Sequence, residues 1–234
     1  MLANIRTELR KRADESDAII LRRFFKTGPG EYGEGERFLG VRVPAIRRVA
    51  GKYRDLSLAD TLILLQSAMH EERLLALIIL TEKYRRGSPE EQGKIYEIYL
   101  DNTRYINNWD LVDTSAERIV GAHLRKRSRK PLYVLAGSKN LWERRIAIMS
   151  TFHFIKTDDF GETLKIAKIL LSDPEDLIHK AVGWMLREIG KRDRNIEECF
   201  LRKHYQYMPR TMLRYAIEKF PEILRQQYLS GTIT

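Results

Sequence analysis

The hydrophobic period is what most constrains the fold of this chain. The segment "LADTLILLQSAMHEERLLALIILTEKYRRG" sets apolar residues three and four apart, then ends in basic residues and Gly87. That spacing predicts helix, and the basic end with glycine predicts its terminus. Ser88-Pro89-Glu90-Glu91 and Asp173-Pro174-Glu175-Asp176 each put a capping side chain before a first-position proline, so further helices are predicted to start there. Strict alternation of β-branched residues is missing, and the chain reads as all-α.

A small residue flanked by apolar ones recurs at Ala45, Ala76, Ala116, Ala147, Gly183 and Ala216, with separations of 31, 40, 31, 36 and 33 residues. This is the length of a helix-turn-helix repeat, and a small side chain lets the next helix approach closely. Any helical bundle yields some such spacings, but the array is favoured. The expectation is one HEAT-like helical repeat solenoid over 1–234, curved, with a basic concave face. It would hold N-terminal helices and a glycine-rich loop over 1–40, repeats over about 41–225 and a short tail.

The glycine-rich stretch "KTGPGEYGEGERFLGVRVP" lacks the Lys-Ser/Thr pair of a phosphate-binding loop and follows no strand. A flexible or irregular connection is the better reading. No apolar run reaches the length of a membrane span, and the N-terminal residues are too charged for a secretory signal. The single cysteine, Cys199, leaves no intramolecular disulfide and no cysteine-based zinc site. The expected setting is the cytoplasm, at the nucleoid through DNA, with no metal, no cofactor, no obligate protein partner and a monomeric state.

Charge points to a polyanion: the net value is +10. Between 121 and 150, Arg125, Lys126, Arg127, Arg129, Lys130, Lys139, Arg144 and Arg145 accompany one acid, Glu143. A second cluster runs Arg187, Lys191, Arg192, Arg194, Arg202 and Lys203. Charge runs are commonly just solvated faces, but recurrence in successive repeats would lay a basic track suited to nucleic acid.

Within this background "NNWDLVD" stands out. Asn107 or Asn108 caps a helix, Asp110 suits its first turn, and Trp109 and Asp113 share a face at i and i+4. Taken alone, Asp113 reads slightly better as a helix salt bridge or cap. Trp142, in "NLWERRIAI", reads as core, whereas Trp184, in "HKAVGWMLREIGK", lies among charged residues.

Together these three segments resemble the AlkD family of bacterial alkylpurine DNA glycosylases, over most of the chain from "FLGVRVPAIRR" to "MPRTMLRYAIEKF". The resemblance implies a HEAT-like fold and a cleft in which Trp109, Asp113 and Trp184 surround the sugar of the damaged nucleotide while Arg145 holds the backbone. It implies hydrolysis of the N-glycosidic bond of cationic N7- or N3-alkylated purines in duplex DNA, with the lesion left stacked rather than flipped. Asn108 departs from relatives that can carry an aromatic there, which alters the shape of the cleft. Arg42, Arg47, Arg48, Arg144, Lys180, Arg187 and Arg214 are the expected DNA-binding residues. The alternatives are a non-catalytic binder of damaged, bent or branched DNA and, more remotely, a protein-interaction scaffold.

Overall fold

The computed structural model describes residues 1–233. Among them every regular element is a helix, and the one β-type contact is an isolated bridge between Arg37 and Met69. The chain divides into two compact units, Met1–Ile119 and Val120–Thr234.

The first unit holds α1 (Leu2–Arg10), α2 (Glu15–Phe24), α3 (Val43–Lys52), α4 (Leu58–Leu65), α5 (His70–Arg86), α6 (Pro89–Asp101) and α7 (Trp109–Ala116). Helix α5 is its centre, packed by α3, α4, α6 and α7. Leu74, Leu75, Ala76, Leu77, Ile79 and Leu80 are all buried, and each large one contributes roughly 1.5–3 kcal/mol of transfer free energy. The long apolar segment predicted as a single helix is two, because Gln66–Met69 breaks it. There the Ser67 hydroxyl accepts the Met69 amide at 3.1 Å, and the His70 amide goes to the Arg37 carbonyl at 2.9 Å. The predicted end at Arg86 and Gly87 holds, and Ser88 caps α6 through the Glu91 amide.

The glycine-rich connection is irregular, with positive φ at Gly30, Gly35 and Gly40. A side chain at Gly40 would collide with the Asp14 carbonyl. The far end of the connection is fastened: the Glu71 carboxylate accepts the Leu39, Gly40 and Val41 amides at 3.0, 2.9 and 3.2 Å.

A π-helical turn, Glu117–Gly121, follows α7. The second unit then holds α8 (Ala122–Leu124), α9 (Lys130–Ala136), α10 (Leu141–Ser150), α11 (Phe152–Ile155), α12 (Gly161–Ile169), α13 (Asp176–Gly190), α14 (Arg194–His204), α15 (Arg210–Ala216) and α16 (Glu222–Ser230). Helix α13 is the hub here, against α10, α12, α14 and α15. It begins at Asp176, later than the Asp-Pro signal predicted. Asp173 caps only the turn, accepting the Glu175 amide at 3.0 Å, and its carboxylate is taken by Arg144.

Five of the six small residues are buried, as their flanks predict, and one is not. Ala76, Ala116, Ala147 and Ala216 are wholly buried and Gly183 is buried, while Ala45 is half-exposed. A Cβ on Gly183 would strike the Met212 carbonyl and the Tyr215 Cβ, so α13 and α15 touch backbone to backbone.

Candidate active site

Helix α7 starts at Trp109. Asn108 is its cap, accepting the Trp109 amide at 2.8 Å, and Asp110 sits in the first turn. Trp109 and Asp113, one turn apart, are both half-buried and lie on one face by helical geometry. The Trp109 ring stacks on Phe25 at 5.3 Å and meets the edge of exposed Phe24 at 5.8 Å. Phe25 in turn stacks on Phe38 at 5.2 Å. These rings and Leu21, Val41 and Ile46 line an apolar cavity of about 260 Å³. On α6, buried Tyr99 bonds the Ser115 hydroxyl at 3.0 Å; burial, with the Asp113 charge added, raises its pKa and keeps it protonated.

Beneath the aromatic stack lies a charged network. Both ring nitrogens of buried His70 face carboxylates, Nδ1 to Glu36 at 2.6 Å and Nε2 to Asp110 at 2.9 Å. Glu36 also accepts Arg73 at 2.5 and 2.6 Å and the Asn107 amide at 3.1 Å. Burial raises the Glu36 pKa, but the His70 bond and the Arg73 charge outweigh it and hold the carboxyl below its ordinary value. For His70 burial favours the neutral ring, yet the Asp110 charge and the two carboxylate bonds win and raise its pKa to about 9.

The remaining predicted residues lie in varied settings. In the first unit Arg42 is exposed but paired bidentately with Asp17 at 2.6 and 2.7 Å, and Arg47 and Arg48 are exposed on α3. In the second, Trp184 is half-buried, donates Nε1 to Glu188 at 3.0 Å and lies 6.2 Å from the Phe152 ring. Arg145 is buried and donates to the Leu177 carbonyl at 2.6 Å, tying α10 to the first turn of α13. Arg144 binds Asp173 at 2.6 and 3.2 Å and the Ser138 and Lys139 carbonyls. Lys180 pairs with Asp176 at 2.8 Å, Arg187 pairs with Glu218, and Arg214 is exposed on α15. Trp142 is buried, as its flanks predict.

A family model described as DNA alkylation repair enzyme matches residues 5–220, nearly the whole chain. The chain belongs to that family. No curated protein matches. Among solved structures the chain is similar to a predicted DNA alkylation repair enzyme from Enterococcus faecalis, with a TM-score of 0.69 and 16% identity over 90% of this chain and 98% of that one. At that identity the likeness speaks for the all-helical fold. Membership of the DNA alkylation repair enzyme family points to a part in repairing alkylation damage.

Sequence reasoning missed His70, Glu36 and the Phe24–Phe25 pair. His70 sat within an apparently continuous helix, and Glu36 within a glycine-rich connection. The available signal was a histidine beside three charged residues in "MHEERLL", where a plain buried helix would carry none.

Proposed function

We propose that the protein is a monofunctional DNA glycosylase that hydrolyses the N-glycosidic bond of cationic N7- or N3-alkylated purines in duplex DNA. The observation that carries this reading is Asp113, half-buried one helical turn from a Trp109 ring that Phe25 holds by stacking. An alkylated purine already bears positive charge, so the C1′–N bond can break with its electron pair going to the base and no acid is needed to protonate it. The barrier lies in the sugar, which becomes an oxocarbenium ion. The Asp113 carboxylate stabilises that cation and orients a water, whose oxygen bonds to C1′ while its proton passes to the carboxylate. The Trp109 indole face attracts the same cation.

Trp184 and Arg145 are proposed to contact the damaged nucleotide, and the exposed Arg47, Arg48 and Arg214 to meet phosphates. Leaving the lesion stacked rather than flipped is part of the same proposal. The test is release of N7-methylguanine from methylated duplex DNA by the protein and by Asp113→Asn. The expected result is release by the parent and a loss of at least about 100-fold in the variant, with DNA retardation retained. A variant that cleaves at the parent rate removes Asp113 from the mechanism. A parent protein that retards DNA but releases no base is the non-catalytic binder.

A further inference from the structure

The His70 network contacts the start of α7 from two sides. Glu36 holds Asn107, the residue ahead of the Asn108 cap, and His70 holds Asp110, the residue after Trp109. The imidazole also packs on the rings that support Trp109, at 5.0 Å from Phe25 and 4.7 Å from Phe38. A carboxylate is only an acceptor, so two carboxylates on the two ring nitrogens require both nitrogens to carry protons. Glu36, Asp110, His70 and Arg73 then sum to zero. Of the other acids in the first turn of α5, Glu71 is turned to the Leu39–Val41 amides and Glu72 accepts Arg6 at 3.1 and 3.2 Å.

We infer that His70, as an imidazolium, is a positioning residue for base excision: it clamps the Asn107–Asp110 turn and thereby sets Trp109 and Asp113 for attack on the sugar. This rests on the glycosylase reading above and adds a residue and a protonation state to it. If the imidazolium loses either proton, a ring lone pair faces a carboxylate and one of the two bonds is lost. Either the turn is released on the Asp110 side, or His70 is cut off from Glu36 while Glu36 keeps Asn107, and in both cases the support beneath Trp109 loosens. Misplacement of this kind lowers the chemical step without removing the surface that binds DNA, a loss of about 10- to 100-fold in rate.

The test pairs two readouts on the whole protein between pH 7 and 9.5. One is the indole N–H resonance of Trp109 in DNA-free protein; the other is the single-turnover rate of N7-methylguanine release, with the DNA dissociation constant measured alongside. The expected result is that resonance and rate change together, with one midpoint near the His70 pKa of about 9, while DNA affinity does not follow it. Asp110→Asn removes one carboxylate charge and moves both midpoints down by about one unit or more. His70→Gln abolishes the transition in the resonance and lowers the rate throughout; if it fails to fold, Asp110→Asn decides alone. A Trp109 resonance that stays flat in active protein, or a midpoint unmoved in Asp110→Asn, overturns the inference and leaves the glycosylase reading standing. A resonance that titrates in protein releasing no base at any pH overturns the glycosylase reading and leaves the clamp.

Discussion

Two buried acids, Glu36 in the first compact unit and Glu197 in the second, are handled in opposite ways. Glu36, in the first, is surrounded by donors from His70, Arg73 and Asn107 and is held ionised. Glu197, on α14 in the second, is equally enclosed, but its Oε1 has no partner. Burial pushes its pKa up to about 9 against the opposing charges of Arg194 and Arg187. It lies against Gly190, where any side chain would run into its carboxyl group. Burial therefore does not decide whether an acid is charged; the donors that reach it do. In the first unit two of those donors, His70 and Arg73, come from α5, and the third, Asn107, immediately precedes the helix that carries Trp109 and Asp113.

The largest expected effect breaks the first side of this contrast. Glu36→Ala strands Arg73 as a buried cation without its anion, leaves His70 with Asp110 alone, and costs about 3–5 kcal/mol of stability, read by urea denaturation at pH 7. A loss below about 1 kcal/mol would mean Glu36 is no more firmly held than Glu197. The opposite sign is expected on the other side. With a folded pKa above the unfolded one, Glu197 costs nothing below about pH 4.5 and progressively more as pH rises toward 9. At pH 7 that is roughly 3 kcal/mol, so Glu197→Gln should stabilise by about that much and flatten the pH slope.

His70 also titrates upward, but as a base. Its contribution is complete below about pH 6.5 and is lost as pH rises through about 9. The parent protein should therefore lose up to about 3 kcal/mol across that window, and His70→Gln should show little of that dependence. A smaller effect sharpens the packing side. Gly190→Ala presses a methyl into the Glu197 carboxyl and should cost about 1–3 kcal/mol, most of it recovered when Glu197→Ala is added. Smallest of all, Arg85→Ala breaks an exposed pair with Glu82 and should leave the denaturation midpoint within experimental error, since water supplies there what Glu36 receives from protein.

What was legible in the sequence follows the range of the interactions. The all-helical class rests on three- and four-residue spacing, and the Asn108 cap and the Trp109–Asp113 face are equally local. His70 meets Glu36 and Asp110 across 34 and 40 residues, separations at which a single sequence carries no pairing signal. For the same reason Arg144 read as one of a run of cations, although Asp173, 29 residues on, takes its guanidinium. The break at Gln66–Met69 escaped because the apolar period continues across it, and only the Arg37 carbonyl shows why the chain restarts at His70.

The single carboxylate of Glu71, which gathers the Leu39, Gly40 and Val41 amides, gives a non-helical segment the exchange behaviour of a helix interior. In deuterated water these three amides should retain their protons long after the amides of exposed Gly30 and Glu31, which are bonded only within the surface turn, to Glu34 and to the Gly28 carbonyl, have exchanged. A protease acting on the native protein should cut near those exposed residues and stop short of Leu39. A nick there would leave the Glu71 anchor, and the Phe38 ring beside it, attached to the body that carries α7.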